Sequence, residues 1–273
     1  MEFDISVSWA SRQDDDHSGL QRYALVGTNP NFTAKLPENI TDDQGATLPT
    51  ALNTAQVALY DKDGLGFPNP FEGGSSFGQG KSFLVSGGSS AIGLAGNCPS
   101  PHGDNSVAIR FLHLSGFSTI IATASKTHES LVRKFGATHV IDRTLPIDDQ
   151  VAEIKSIAPA LQHAWDAIGS KETNTLVARS FGSQGGQIVA SLPVDQDVLA
   201  EHKNVSGKSI YGGPVNNHVE SATKIWSHIE EALRKGDVLP IPHKVWGGLA
   251  TTAEALQAVK KASGYKVVVH PQE

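Results

Sequence analysis

The sequence predicts an α/β fold built on a doubly wound parallel sheet. Three observations predict it. Apolar strand-like runs alternate with amphipathic stretches from Lys81 to about Val205, the pattern of helices crossing over a parallel sheet. The first of these runs feeds directly into a loop of glycines and small residues. The chain has 273 residues, 39% hydrophobic and 18% charged. That length buries roughly 70–75% of the unfolded surface, and the composition argues against disorder or a fibrous repeat.

Residues 1–40 are polar and irregular, with two short extended candidates, Phe3–Trp9 and Gln21–Val26. Thr41-Asp42-Asp43-Gln44 has the form of a capping box with acids at the positive helix end. It predicts a helix through Ala46–Asp61, interrupted at Pro49. Residues 64–80 hold Gly64, Gly66, Gly73, Gly74, Gly78 and Gly80 with Pro68 and Pro70, which reads as a loop or linker. The strands then expected are Ser82–Ser86, Thr119–Ala122, His139–Ile141, His163–Ala167 and Gln187–Ala190. Between them lie helix candidates Val107–Ser115, Glu129–Phe135, Gln150–Ile157 and Glu172–Ser180. Ala222–Lys235 is a helix stopped by Gly236, Thr251–Ala262 a second near Gly264, and Lys266–His270 a closing strand.

Composition removes several functions. Lys plus Arg is 22 and Asp plus Glu is 28, a net charge of −6, the opposite of a nucleic-acid binder's balance. No run approaches ~18 apolar residues, so no membrane span is expected. The acidic start Met1-Glu2-Phe3-Asp4 is unlike a signal peptide, and a cytoplasmic location is the expectation. One cysteine, Cys98, excludes an internal disulfide and a cysteine-built zinc site. The eleven histidines show no His-Glu-x-x-His spacing, and Cys98 with His102 is an isolated pair, so no metal site is expected. Gly78-Gln79-Gly80-Lys81-Ser82 fails as a P-loop, because the first glycine is replaced by Ser75 and the motif precedes its strand. No tyrosine has a lysine four residues on, which removes the Tyr-x-x-x-Lys acid of short-chain reductases.

Phe83-Leu84-Val85-Ser86-Gly87-Gly88-Ser89-Ser90-Ala91-Ile92-Gly93 is the strongest motif. Glycines there let the backbone approach a pyrophosphate, and a following helix would point its N–H groups at it. One unit later, Ile120–Ala124 ends a strand and Ser125-Lys126-Thr127-His128 follows. An acid at this place would bind the 2′-hydroxyl of NAD; a hydroxyl and a cation suit the 2′-phosphate of NADP. A solvated helix start capped by Ser125 or Thr127 fits the same residues.

Several passages resemble the medium-chain dehydrogenases/reductases: Leu131–Asp142, Gly19–Val26, Lys35–Thr41 and Ala46–Pro49, over about residues 18–270. The closest likeness is to the fungal quinone-reductase-like and trans-acting enoyl-reductase branch. The resemblance implies a Rossmann core with a remnant of a GroES-like β-rich domain. It divides the chain into a remnant at 1–45, a dinucleotide-binding domain with its linker helix at 46–235, and a return to the catalytic domain at 236–273. It implies NADPH as cofactor and a small-molecule substrate reduced by hydride, without zinc. By resemblance the cofactor residues are Gly88, Ser89, Ser90, Ala91, Ile92, Gly93, Ser125, Lys126, Arg143, Ile168, Leu192 and Lys266. No catalytic residue is assigned; Tyr60, Tyr211 and His218 have no supporting spacing. The region Val205–Val219 lies where relatives pair their sheets into homodimers.

Two departures from the family stand out. Most of the early barrel is missing, which reads as an N-terminal truncation. Leu94–Asn105 interrupts the passage from glycine loop to helix, and Pro99 and Pro101 cannot lie inside a helix. The expectation is an insertion that delays the helix and weakens the phosphate cradle, as translated intron sequence would. The alternative function is a catalytically incompetent nucleotide-binding or interaction protein.

Overall fold

A computed structural model describes residues 5–6, 33–89, 105–210, 212, 218–259 and 264–273. In chain order the elements are β1 (Ile5–Ser6), β2 (Thr33–Ala34), α1 (Asp42–Ala46), α2 (Pro49–Tyr60), β3 (Ser82–Ser86) and α3 (Asn105–Leu114). They continue with β4 (Thr119–Ala124), α4 (Glu129–Phe135), β5 (His139–Asp142), α5 (Ile147–Ile157), β6 (His163–Asp166) and α6 (Lys171–Ser180). The chain closes with β7 (Gly186–Ala190), α7 (Gln196–Glu201), β8 (Val205–Ser209), α8 (Val219–Lys235), β9 (His243–Val245), α9 (Thr252–Val259) and β10 (Lys266–Val268).

Strands β3 to β8 form one parallel sheet in the order β5-β4-β3-β6-β7-β8. The order reverses between β3 and β6, which makes a topological switch point at their carboxyl ends. The pleat sorts the side chains. Phe83 and Val85 face one core with Ile120, Ala122, Trp165 and Val189, under α2, α3 and α8. Leu84, Ile121, Ala164 and Ile188 face the other, under α5 and α6. Both faces are covered, as parallel strands require.

The local signals act as expected. The Gln44 N–H donates to Thr41 Oγ1 at 3.3 Å and the Thr41 N–H to Gln44 Oε1 at 2.9 Å, a complete capping box. The chain breaks at Leu48 and restarts with Pro49 in the first turn of α2. In α8 the buried residues Ala222, Ile225, Trp226, Ile229 and Leu233 follow the 3–4 spacing of one helical face, and Gly236 caps its end.

The glycine-rich segment 64–80 is a packed loop. Phe67 lies against Phe77, Phe83 and Phe117, with ring centroids 4.8–6.3 Å apart. The weakly patterned strands β8 and β9 and the short α7 were not anticipated from the sequence. Of the N-terminal extended candidates, Phe3–Trp9 supplies the two residues of β1, paired antiparallel with β2; Gln21–Val26 lies outside the described residues. So does most of Leu94–Asn105, although α3 begins at its last residue.

Helix α2 is buried along most of its length between α3 and α8. Its Asn53 Oδ1 accepts the Trp226 indole N–H at 2.8 Å. Replacing Asn53 by Ala leaves that buried donor without a partner and is expected to destabilise the fold by about 2 kcal/mol. Urea unfolding checks this: the midpoint falls and the slope stays the same.

At the other end of the chain, His270 Nε2 lies 2.8 Å from Asp43 Oδ1 and its Nδ1 3.0 Å from Glu273 Oε1. Asp43 also has His243 Nε2 at 3.9 Å. Glu273 first, then Asp43, raises the imidazole above its ordinary value. A raised histidine stabilises fully below its unfolded value of about 6.5 and loses that contribution as pH rises through the folded value. Amide protection over 264–273, corrected for intrinsic exchange, is therefore expected to fall on going from about pH 6 to about pH 9. His270→Ala should remove the pH dependence.

Candidate functional site

The site lies at the carboxyl ends of β3, β4, β6 and β7. At the end of β3, Gly87 turns the chain with φ +76°. Its N–H donates to Thr123 Oγ1 at 2.9 Å, and the Gly88 N–H donates to the Thr123 carbonyl at 2.8 Å. Both amides are thus committed to β4. A Cβ on Gly88 would come within 2.9 Å of the Ala122 Cβ and 3.2 Å of Ile109 Cδ1. Gly88 therefore supplies close packing between the loop, β4 and α3, and its N–H is taken up by β4. Ser89 is buried, and its carbonyl accepts the Gly264 N–H at 3.1 Å. Ser90, Ala91, Ile92 and Gly93 lie outside the described residues, as do Cys98 and His102.

The end of β4 carries no carboxylate: Ala124 is followed by Ser125 and Lys126. Ser125 Oγ is 3.3 Å from Thr127 Oγ1. The Arg143 N–H donates to the Ala124 carbonyl at 3.0 Å, so the turn after β5 sits against the end of β4. Ser125, Lys126 and Arg143 are brought together there. Lys126 is 80% exposed at its side chain, and its Nζ is 3.5 Å from Asp142 Oδ2. The Thr144 N–H and hydroxyl donate to Asp142 Oδ1 at 3.0 and 2.7 Å. With a smaller contribution from Lys126, they hold that carboxyl below its usual range.

On the other side of the switch point, Asp166 is fully buried at the end of β6. Its Oδ1 accepts the Ile168 N–H at 3.0 Å and the Gly169 N–H at 3.1 Å; its Oδ2 accepts from Asn174 Nδ2 at 2.6 Å. Asn174 Oδ1 then accepts the Asp195 N–H at 2.8 Å. Burial pushes the Asp166 carboxyl up, against the pull of these donors. Gly169, at φ +68°, lets its loop meet the next one: a Cβ there would lie 2.8 Å from the Leu192 Cβ. Ile168 and Leu192 therefore belong to two loops in contact. Lys266 opens β10, two residues after Gly264, and its N–H donates to the Pro242 carbonyl at 2.7 Å. Gly264 also lies against the His128 ring, so this passage borders both the β3 loop and the segment after β4.

One feature of the site had no signal in the sequence. Thr123, which holds both loop amides, has no motif of its own. The hydroxyls of Ser86 and Ser191, at the ends of β3 and β7, are buried with no partner among the described residues. The spacing Asp-x-Ile-Gly, an acid two and three residues before the amides it receives, is the signal that marks Asp166. Tyr60 and His218 are not at this edge. Tyr60 Oη donates to the Phe111 carbonyl at 3.0 Å near the carboxyl end of α3, while the site lies at its amino end. Burial pushes that hydroxyl far up, so it stays neutral. Tyr211 lies outside the described residues.

A parallel sheet in this order, with a glycine turn after its first strand, defines a Rossmann-type dinucleotide-binding fold. The chain is 31% identical over 261 residues to the trans-enoyl reductase himH of Aspergillus japonicus, covering 93% of this chain and 69% of the relative. It is 29% identical over 289 residues to the trans-enoyl reductase phm4 of a Pyrenochaetopsis species, covering 98% and 74%. The chain belongs to the medium-chain dehydrogenase/reductase superfamily, in its trans-enoyl reductase branch. No protein-family model matches it. Among solved structures, the CurK enoyl reductase superposes with a TM-score of 0.64 at 16% identity, covering 89% of this chain and 66% of that one. A Pseudomonas syringae quinone oxidoreductase superposes at 0.65 with 17% identity, covering 89% and 69%. These structures agree in fold, and this chain spans about two thirds of their length.

Asp166→Ala strips the acceptor from three donors and is expected to cost about 2–4 kcal/mol of stability. Hydrogen exchange should localise the loosening to 166–169 and 191–195, the segments that the carboxylate and Asn174 tie.

Proposed function

We propose that the chain is an NADPH-dependent, zinc-independent oxidoreductase that reduces an activated carbon–carbon double bond or carbonyl. The observation that carries this reading is the end of β4. Where a carboxylate would receive a free ribose 2′-hydroxyl, this chain has Ser125 with Lys126 and Arg143 beside it. That donor set suits a 2′-phosphate. Two unpartnered buried hydroxyls at the same edge, Ser86 Oγ and Ser191 Oγ, fit a site that a polar ligand completes. A mycobacterial neighbour solved with NADPH supports the cofactor class. The relatives named trans-enoyl reductases and the quinone oxidoreductase support the substrate class.

When bound, the nicotinamide supplies the hydride. The chain's own residues bind and orient. Lys126 and Arg143 would hold the 2′-phosphate, with Ser125 as a third donor. Ser89 and the residues after it would face the pyrophosphate at the amino end of α3, since Gly87 and Gly88 are tied to Thr123. The paired loops of Ile168 and Leu192, held through Asp166 and Asn174, would form the floor beneath the ribose and nicotinamide. Lys266 would close the cofactor side from the C-terminal segment. In this reading residues 46–235 are the dinucleotide-binding unit, and 1–45 with 236–273 belong to the catalytic unit. Zinc has no part in it because the chain's one cysteine, Cys98, cannot supply the cysteine-based ligand set of zinc-dependent relatives. The edge strand β8 is the surface through which two copies would extend the sheet.

Calorimetric titration with NADPH and NADH tests the reading. NADPH is expected to bind more tightly. Ser125→Ala with Lys126→Ala should weaken NADPH by roughly 10–100-fold and leave NADH nearly unchanged, the loss of one or two charge-assisted contacts. Equal affinities, unmoved by the double variant, would overturn it. Tight binding without oxidation of NADPH by a simple quinone or enone would favour an incompetent binding protein.

A further inference from the structure

Away from the crevice, two carboxylates and an imidazole converge where α2 ends and α8 begins. Asp61 caps α2, Asp63 follows it by two residues, and His218 immediately precedes α8. His218 Nδ1 is 3.1 Å from Asp61 Oδ1 and 3.9 Å from Asp63 Oδ2. One ligand atom from each residue falls within a 4.8 Å cluster. The His218 side chain is 8% exposed and that of Asp61 4%, whereas Asp63 is half exposed.

Two observations separate this cluster from a surface group of acids. The first is the histidine. Its Nδ1 is buried and makes no hydrogen bond among the described residues. It lies 3.1 Å from Asp61 Oδ1, within ion-pair distance. The second is the rigidity of Asp61. Its Oδ1 accepts the Asp63 N–H at 2.9 Å, and its Oδ2 accepts a short hydrogen bond from Ser221 Oγ in the first turn of α8. Ser221 Oγ in turn receives Gln56 Nε2 at 2.6 Å. The carboxylate is therefore fixed from both helices, with Oδ1 turned toward the imidazole.

The spacing suits a particular ion. A tetrahedral cation with bonds of ~2.0–2.2 Å separates its ligand atoms by roughly 3.3–3.6 Å. The two nitrogen–oxygen distances, 3.1 and 3.9 Å, straddle that range. One imidazole with two carboxylates selects a zinc-like divalent ion, since magnesium and calcium take six or more oxygens. Asp61 and Ser221 also line a pocket of about 330 Å³ shared with Tyr60, Glu72 and Glu220.

We propose that Asp61, Asp63 and His218 bind a divalent cation of the zinc class that clamps the end of α2 to the start of α8. The cluster lies beside Tyr60, whose hydroxyl reaches the carboxyl-terminal turn of α3 through Phe111 and Ser115. The crevice is at the other end of that ten-residue helix, about 15 Å away. The ion is thus a fold element and takes no part in hydride transfer.

Zinc chloride titrated into the metal-stripped full chain is the test. One site of micromolar or tighter affinity is expected, with a rise in melting temperature and no heat from magnesium. Asp63→Asn, at a half-exposed position that tolerates change, should weaken zinc at least ~10-fold. His218→Gln should abolish the site. Cobalt in place of zinc should give a visible band that Asp63→Asn diminishes. Absence of zinc binding would overturn the proposal and leave Asp61 and His218 as a plain ion pair. Zinc binding unchanged in both variants would overturn it as well, by placing the ion on other histidines.

Discussion

Six strands that run the same way cannot be joined by hairpins, and every other feature follows from that constraint. Each strand needs a crossover helix to return the chain to the same edge. All six carboxyl ends, with the loops that leave them, therefore share one rim. At the reversal between β3 and β6 the helices depart to opposite faces, and a crevice opens that no helix fills. Phe83 and Val85 against one helical layer and Leu84 against the other show the cost of holding this arrangement: both faces must be apolar. The polar groups that do chemistry are left to the strand ends.

Those ends are fixed by a small number of buried polar contacts. Thr123 receives two amides of the β3 loop, and Asp166 with Asn174 gathers the loops after β6 and β7. Thr123 does so with its hydroxyl and its backbone carbonyl, and Asp166 holds its own following loop while Asn174, in α6, holds the loop after β7. The crevice is thereby shaped before any ligand arrives, which lowers the ordering that binding requires. The Gly264 amide on the Ser89 carbonyl adds a third contact, from a segment more than 170 positions away in sequence.

The sheet was legible because its signals are local. The capping box at Thr41, the apolar face of α8, the stop at Gly236 and five of six core strands follow from neighbours a few residues apart. β8 was not legible: Val205-Ser206-Gly207-Lys208-Ser209 lacks an apolar alternation, and it is a strand because β7 offers it an edge. The site was legible only in outline. Ser125 and Lys126 could be named from their place after β4 and Arg143 from the family resemblance, and the backbone of Arg143 packs against the end of β4. The packing role of Gly88 could not be read, because its close neighbours, Ala122 on β4 and Ile109 on α3, are brought to it only by the fold. The Asp61–His218 pair spans more than 150 positions and has no sequence spacing at all.

The acid beside Lys126 bears on the proposed phosphate site. Asp142 lies 3.5 Å from the ammonium and would repel a second anion. Magnitudes decide the matter. An exposed lysine–carboxylate pair is worth about 0–1 kcal/mol, whereas a charge-assisted hydrogen bond to phosphate is worth about 1.5–3 kcal/mol. The lysine can leave its partner at small loss, because its side chain is 80% exposed and free to swing. Asp142, by contrast, cannot follow it, since two donors from Thr144 hold its other oxygen at the end of β5. The carboxylate therefore holds the lysine near the rim in the free protein and would stay behind if the proposed 2′-phosphate drew it away.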